Sequence, residues 1–157
     1  MTDKIAVIGS GLIGRAWSIS FARAGFNVDM TDKSPTALET SLGILKGGIK
    51  DLANNNLLHD QSVDEVFGRI TPQKNIEVAL EGATYIQENT AEVLEIKKEV
   101  YAELDVKAEP AAVIGSSTSG LVASLFTEDL KSRHRCLVAH PINPPYLVPA
   151  VELCPSP

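Results

Sequence analysis

Three glycines near the amino end have the spacing of a phosphate-binding turn. The stretch reads Gly9-Ser10-Gly11-Leu12-Ile13-Gly14, which is the pattern G-x-G-x-x-G. We expect Gly9 to permit a tight turn, Gly11 to let a diphosphate approach the backbone, and Gly14 to let a helix pack closely on a strand. The helix that follows would offer unpaired N–H groups and a partial positive charge to the phosphates. These six residues therefore predict a dinucleotide-binding site.

An acid follows this turn at the distance expected for recognition of a ribose. Asp32 lies 18 residues after Gly14, at the end of the second predicted strand. A carboxylate there would accept hydrogen bonds from both ribose hydroxyls and repel a 2′-phosphate, which favours NAD over NADP. The competing interpretation is a structural glycine turn, with Asp32 capping the helix that begins after Lys33. Because turn, strand, helix and acid agree, we prefer an NAD site.

An isolated histidine and an isolated acid lie near the carboxyl end, among prolines. The segment AHPINPPYLVPAVELCPSP contains His140 and, twelve positions later, Glu152, with no other charged residue. Judged from the residues alone, His140 is more typical of a half-buried histidine at a strand end than of a catalytic group. His59 and His134 stand in polar, charged surroundings, which indicates surface positions.

Short apolar strands and amphipathic helices alternate along the chain that must position these residues. The predicted strands are 4–8, 27–31, 69–71, 84–87, 112–115 and 135–139. The predicted helices are 12–24, one that begins at Pro35 and carries an apolar stripe from Leu38 to Leu52, 62–67, 93–104 and 121–130. The near-continuous apolar character of the first strand is typical of a parallel sheet buried on both faces. The alternation predicts an α/β fold with a doubly wound, mostly parallel, Rossmann-type sheet.

Size and charge limit the classes of function. A chain of 157 residues suits one domain with its own core. The formal net charge is −6 and no run of lysine or arginine occurs, which argues against a nucleic-acid partner. We therefore expect neither DNA nor RNA as a partner.

The amino end and the cysteines indicate a cytoplasmic protein. The apolar run before Gly9 has five residues, far fewer than the about 20 that a membrane span needs, and no signal-peptide layout precedes it. From the short apolar run we expect no membrane association. Cys136 and Cys154 are too few for a disulfide framework, so we expect reduced thiols. No CxxC or HExxH spacing is present, so no metal site is predicted.

Four segments in order carry a family resemblance that covers essentially the whole chain. They are IGSGLIGRAW, YIQENTAEVLEIKKEVY, SSTSGL and VAHPINPPYLVPAVELCPSP. By these segments the chain resembles the NAD-binding domain of the 3-hydroxyacyl-CoA dehydrogenase superfamily, and within it the branch of lambda-crystallin and L-gulonate 3-dehydrogenase. The resemblance implies that residues 1–157 form a single NAD-binding Rossmann-type domain.

The resemblance also implies roles for particular residues. His140, which opens an H-x-x-N-P motif, would be the general base for alcohol oxidation, and Glu152 would orient it through Nδ1–H, leaving Nε2 to accept the hydroxyl proton. Ser119 would hydrogen-bond the substrate hydroxyl or carbonyl, and Asn143 would lie beside the reacting centre.

Two further positions match residues that contact the nicotinamide ribose in this family. They are Glu92 and Lys97, both in the segment AEVLEIK. The competing interpretation for each is a role on the surface, as an exposed acid at a helix start and as a solvated lysine.

The function implied by the resemblance is NAD-dependent oxidation of the 3-hydroxyl of an L-3-hydroxy acid or a 3-hydroxyacyl-CoA. Family members continue into a helical domain that closes the substrate cleft and forms a homodimer. Because that part is absent, we expect a fragment that binds NAD with little turnover. The alternative is a non-catalytic, crystallin-like structural or NAD-binding protein.

The charge of the second helix and its successor bears on the size of the substrate. Residues 36–67 contain two lysines, Lys46 and Lys50, against five acids: Glu39, Asp51, Asp60, Asp64 and Glu65. The phosphates of CoA would favour a basic surface here. We therefore expect a small free acid such as L-gulonate, 3-hydroxybutyrate or carnitine.

Overall fold

One sheet of seven strands organises the chain. The computed structural model describes residues 3–157. The strands are β1 (Lys4–Ile8), β2 (Asn27–Thr31), β3 (Ile70–Gln73), β4 (Ala83–Glu88), β5 (Val113–Ser116), β6 (Cys136–Pro141) and β7 (Val151–Pro155), in the spatial order β3-β2-β1-β4-β5-β6-β7. Strands β1 to β6 are parallel, and β7 is antiparallel to β6. The predicted doubly wound, mostly parallel Rossmann-type sheet is confirmed.

Residues 3–157 contain six helices, and serine side chains cap the start of two of them. They are α1 (Leu12–Arg23), α2 (Pro35–Asn54), α3 (Val63–Gly68), α4 (Ile76–Leu80), α5 (Leu94–Lys107) and α6 (Ser124–Thr127), with a short 3₁₀ turn at Arg133–Arg135. The Ser34 hydroxyl accepts a hydrogen bond from Ala37 N at the start of α2, and Ser62 and Glu65 form a capping box on α3. Gly25, with φ of 97°, follows the end of α1 in the left-handed conformation typical of that position.

The sheet has an apolar core on each face. On one face Ile5 and Val7 of β1 join a cluster with Ile19, Leu45 and Ile49, from α1 and α2. On the other, Ala6 and Ile8 join a cluster with Val100, Tyr101 and Leu104 of α5. Successive residues of a strand point to opposite faces, so both faces of β1 are covered. This explains why β1 has an almost continuous apolar sequence.

Three elements differ from the sequence-based predictions. The predicted helix over 121–130 is wrong in extent, because only Ser124–Thr127 is helical. Helix α4 was not predicted, since five residues are too few for a helical repeat to be recognised. Strand β7 was not predicted either. All of its residues are exposed and it ends at a proline, so it lacks the alternation of a half-buried strand.

Gly14 sets the distance between α1 and β1. A Cβ at this position would overlap the backbone carbonyl of Gly9 and contact Val7. By contrast, a Cβ at Gly11 would have no atom within 4 Å. The role predicted for Gly14, close packing of helix on strand, therefore has a specific steric cause.

We expect Gly14→Ala to lower the free energy of unfolding by about 1–3 kcal/mol, because the added methyl group would force α1 away from β1. Gly11→Ala is the matched control. Gly11 has φ of −64° and open space around it, so its change should stay within about 0.5 kcal/mol. Urea unfolding of both variants makes the comparison, and equal midpoints would contradict the steric argument.

Candidate functional site

The turn between β1 and α1 has the form of a phosphate-binding loop. Gly9 has φ of 94°, a conformation that other residues rarely adopt, and a Cβ there would overlap the backbone of Asn89. Gly11 is the N-cap of α1 and contributes no side-chain cap, and no acid lies in the first turn. Leu12, which is 63% exposed, and the half-buried Ile13 supply the next backbone N–H groups. The start of α1 therefore has donors without a side-chain acceptor from the cap.

Asp32 lies directly after β2 and is hydrogen-bonded to this turn. Its Oδ2 accepts hydrogen bonds from Ser10 N at 2.7 Å and Ser10 Oγ at 2.8 Å, and its Oδ1 accepts one from Ser34 N at 2.9 Å. Burial works against the charged form, but these hydrogen bonds outweigh it and hold the pKa of Asp32 below its ordinary value. Asp32 therefore carries a negative charge at neutral pH beside the turn.

A cleft of about 640 Å³ opens between these residues and the end of β4. Its lining includes Gly9, Gly11, Asp32, Asn89, Thr90 and Ala91. The chain leaves β1 toward β2 on one side and reaches β4 on the other, so the cleft lies where the strand order reverses. In open α/β sheets this is where ligands bind. The turn and the volume of the cleft fit a dinucleotide.

Asn89 and Thr90 were missed by the sequence analysis as residues of the cleft. They belong to the polar run that directly follows β4. Since β4 is the strand on the far side of the switch point, residues after its carboxyl end had to face the glycine turn. The strand order would have identified them, but strand order is not visible in a local pattern.

His140 and Glu152 lie opposite each other on β6 and β7. The antiparallel register pairs these two residues, and His140 Nδ1 is 3.3 Å from Glu152 Oε2. The histidine side chain is 29% exposed and the glutamate 81% exposed. Both line a second pocket, of about 250 Å³, together with Ser119 and Gly120. The structure thus brings the two residues of the predicted dyad together, in a pocket that Ser119 shares.

Asn143 lies apart from this group. It is exposed in the loop between β6 and β7 and precedes a cis peptide bond to Pro144. Among the described residues, the lining of the histidine pocket does not include Asn143. His59 and His134 are exposed, as predicted.

Glu92 closes the loop that carries Ser119. Its Oε1 accepts hydrogen bonds from Thr118 Oγ1 at 2.5 Å, Ser119 N at 2.9 Å and Gly120 N at 3.0 Å. Burial again opposes the charge, but these bonds and the nearby Lys97 ammonium lower the pKa of Glu92. Glu92 is exposed just before α5, as one interpretation expected, and it also fixes the backbone of the loop that carries Ser119.

Lys97 is buried, which contradicts the interpretation of a solvated lysine. Its Nζ lies 2.8 and 2.9 Å from the two carboxylate oxygens of Glu88 and 3.1 Å from Thr90 O. The side chains of Lys97 and Glu88 are 1% and 0% exposed. Through Thr90, this ion pair holds one wall of the cleft beside the glycine turn.

The sequence contained a signal for this burial. Lys97 is spaced three, four and seven residues from Val100, Tyr101 and Leu104, which form the buried stripe of α5. A lysine on an apolar stripe requires a buried partner. Glu88, at the end of β4, supplies it.

The sequence matches the family described as 3-hydroxyacyl-CoA dehydrogenase, NAD binding domain, over residues 4–157. Because the match covers nearly all of the chain, the chain belongs to this family, and its cofactor is NAD. The family is one of oxidoreductases, as the resemblance implied.

Particular relatives are similar over the same region. The lambda-crystallin homolog of Bos taurus is 40% identical over 154 residues, which are 98% of this chain and 48% of that protein. The L-carnitine dehydrogenase/betainyl-CoA thioesterase of Rhizobium sp is 41% identical over 153 residues, 96% of this chain and 29% of that protein. The chain thus spans about half the length of the lambda-crystallin homolog. The expected likeness to the lambda-crystallin branch is confirmed.

A solved structure shows the same fold. The crystal structure of 3-hydroxybutyryl-CoA dehydrogenase from Escherichia coli K12 superposes with a TM-score of 0.87 at 24% identity, covering 98% of this chain and 32% of that chain. At this identity the likeness shows the fold alone.

Residues 3–157 contain neither a membrane-spanning helix nor a metal-binding cluster. No helix there has both the length and the apolar character needed to cross a membrane. No group of three or more His, Cys, Asp or Glu side chains in that range is arranged to hold a metal ion.

We expect Lys97→Met to destabilise the chain by about 3–5 kcal/mol, because the buried Glu88 carboxylate would lose its counter-ion. Lys98→Met, on the exposed side of the same helix, is the control and should stay within about 0.5 kcal/mol. Urea unfolding followed by circular dichroism measures both. A small loss in Lys97→Met, equal to that of the control, would contradict the role of the ion pair.

Proposed function

We propose that this chain is the NAD-binding part of a dehydrogenase that oxidises the 3-hydroxyl of an L-3-hydroxy acid, with His140 as the general base. The observation that carries the proposal is the contact between His140 Nδ1 and Glu152 Oε2. A carboxylate on Nδ1 orients the ring and stabilises the imidazolium that forms when Nε2 takes a proton. No other described histidine has such a contact in a pocket.

The neighbouring polar groups support a substrate position in the histidine pocket. Ser119 lines that pocket with His140, so its hydroxyl is available to hydrogen-bond the substrate oxygen. Glu92 fixes the backbone of Ser119. We propose the same substrate contact for Asn143, after a movement of its exposed loop toward the pocket.

On the cofactor side, the residues of the glycine turn, Gly9 to Gly14, would hold the diphosphate, and Asp32 would accept the ribose hydroxyls. When bound, NAD supplies the hydride acceptor. Glu92 is our proposed contact for the nicotinamide ribose. Lys97 has three acceptors within the protein, so we propose that it serves the cofactor indirectly, by holding Thr90 in the wall of the cleft.

We further propose that residues 1–157 are one domain of a longer, homodimeric protein and have little turnover alone. The chain covers 48% of the lambda-crystallin homolog. All residues of β7 are exposed, including Glu152 and Leu153, so the histidine pocket is open to water on that side. Hydride transfer requires a substrate held at near-attack distance, which an open pocket does not provide.

A small free acid is the proposed substrate, in preference to an acyl-CoA. Of the two lysines in 36–67, Lys46 lies 3.8 Å from the Asp64 carboxylate and over the Phe67 ring. Its positive charge is therefore partly balanced within the chain and is less available to a phosphate. The similar protein from Rhizobium is named an L-carnitine dehydrogenase, which supports a small hydroxy acid. The longer enzyme should therefore show a higher kcat/KM with L-carnitine or L-gulonate than with 3-hydroxybutyryl-CoA. A clear preference for the thioester would overturn this choice.

The cofactor site is tested by titrating the 157-residue chain with NADH and following nicotinamide fluorescence. We expect saturable binding, and we expect Asp32→Ala to weaken it by about five- to a hundred-fold, because the two ribose hydroxyls would lose their acceptor. Glu95→Ala, an exposed acid on α5, is the control and should bind as the unchanged chain does. Steady-state assays of the same chain should detect little oxidation, and robust rates would contradict the proposal of low turnover.

A non-catalytic, crystallin-like protein is the second candidate, because relatives at about 40% identity include lambda-crystallin homologs. Replacement of His140 by Gln separates the two. In a longer enzyme, His140→Gln should lower kcat by about 10²- to 10⁴-fold, because the alcohol proton would lose its acceptor. Equal NADH binding in the variant would show that only the chemistry was lost. Absence of oxidation by the unchanged longer protein, with NADH bound, would favour the crystallin-like role.

A further inference from the structure

A single hydroxyl, that of Ser117, is hydrogen-bonded to Asn89 of the cofactor cleft, and Ser117 directly precedes Thr118, which lines the histidine pocket. Ser117 Oγ accepts hydrogen bonds from Trp17 Nε1 at 3.0 Å and from Gln87 Nε2 at 2.7 Å, and it donates one to Asn89 Oδ1 at 2.7 Å. A hydroxyl has one proton to donate and two lone pairs to accept with. All of the hydrogen-bonding capacity of Ser117 Oγ is therefore used within the protein.

The three partners connect Ser117 to the cofactor cleft and to the core of the sheet. Trp17 is a buried residue of α1, the helix whose amino end forms the glycine turn. Asn89 lines the cofactor cleft, and its Nδ2 donates to Gln87 O and Ile8 O, which directs Oδ1 to Ser117. Gln87, at 0% exposure, extends the network away from the cleft.

The connection continues to the histidine strand. Gln87 Nε2 also donates to Ala139 O at 3.3 Å, and Ala139 directly precedes His140. On the other side, Ser117 is two residues before Ser119, in the loop that Glu92 holds. One side chain is thus within one hydrogen bond of the cofactor cleft and two hydrogen bonds of the strand that carries the proposed base.

Aromatic contacts make the network a closed ring. Trp17 stacks on Phe21 with a centroid distance of 4.9 Å, and Phe21 meets the edge of Tyr85 at 6.0 Å. The Tyr85 hydroxyl donates to Gln87 Oε1 at 2.6 Å. A Cβ at Gly115 would overlap that hydroxyl, so the sheet leaves space for it. The ring leaves the indole of Trp17 little freedom to rotate away from Ser117.

We propose that Ser117 is a positioning residue that couples the cofactor cleft to the loop of Ser119 and the strand of His140. The proposal rests on the function proposed above, because it takes Ser119 and His140 to be the residues that face the substrate. Its content is specific: occupation of the cleft is transmitted through the Asn89–Ser117 and Gln87–Ser117 hydrogen bonds. A half-buried serine with a merely structural role would hold the fold together without transmitting cofactor binding.

The chain carries its own reporter for this coupling. Trp17 is its single tryptophan, so a ¹H–¹⁵N spectrum of the 157-residue chain contains one indole N–H signal, and that proton is the one donated to Ser117. We would record spectra with and without saturating NAD⁺ for the unchanged chain, Ser117→Ala and Ser117→Thr. The amides of Gly11 to Gly14 report on cofactor binding, and those of Ser119 and Gly120 report on the substrate side.

In the unchanged chain, NAD⁺ should shift all of these signals. In Ser117→Ala the Gly11 to Gly14 amides should still respond, but the shifts of the Ser119 and Gly120 amides and of the indole signal should fall to less than about half, because the shared acceptor is gone. Ser117→Thr keeps the hydroxyl and should restore them. Full responses at Ser119 and Gly120 in Ser117→Ala would overturn the proposal while leaving the proposed cofactor site intact.

Two other outcomes are also decisive. If the Gly11 to Gly14 amides of the unchanged chain do not respond to NAD⁺, the cofactor site itself has failed, and this inference fails with it. If Ser117→Ala does not fold, Ser117→Cys replaces it, since the thiol fills the same position but donates and accepts hydrogen bonds only weakly. The Ser119 and Gly120 responses should then be reduced in Ser117→Cys, and unreduced responses would overturn the proposal.

Discussion

The close approach of α1 to β1 is the constraint on which the rest of the structure depends. With no side chain at Gly14, the helix contacts the Gly9 carbonyl directly. That contact sets the start of α1 beside the carboxyl ends of β1 and β2, where Asp32 is bound by Ser10. A wider separation would move the helix donors away from the acid and disrupt the cleft, because packed interiors transmit small displacements.

The second half of the site depends on a single register. Strand β7 pairs with β6 so that Glu152 lies opposite His140. A slip of one residue would turn the carboxylate to the other face of the sheet. Because the strand is an exposed edge, its own burial contributes little to fixing this register. The register of β7 is therefore fixed mainly by its backbone pairing with β6 and by the turn at 142–150.

The parts of the fold that could be predicted from sequence are those set by local patterns. The glycine turn, β1 and α1 follow one another with their own stop and start signals, and the stripe of α2 identifies its buried face. Strand β7 has no such pattern, since its partner is distant in sequence and both faces are exposed. The contact of His140 with Glu152 followed from the family resemblance, and the residues alone did not predict it. The connections through Glu92 and Ser117 join side chains about 26 to 100 positions apart, and no local periodicity encodes such distances.

The end of β4 concentrates the polar groups that a core normally excludes. Gln87 and Glu88 are both at 0% exposure, and each is held by hydrogen bonds to residues on other elements. Apolar residues of the same volume in place of the Glu88–Lys97 pair would often be neutral or stabilising, so stability alone does not account for these choices. The directions of their hydrogen bonds do account for them. Glu88 and Lys97 orient Thr90 toward the cleft beside the glycine turn, while Gln87 orients Ser117 and the backbone before His140. Hydrogen bonds depend strongly on angle, whereas apolar contacts do not. A segment that holds the wall of the cleft and the loop of Ser119 in one relative orientation therefore requires polar residues at this point in the core.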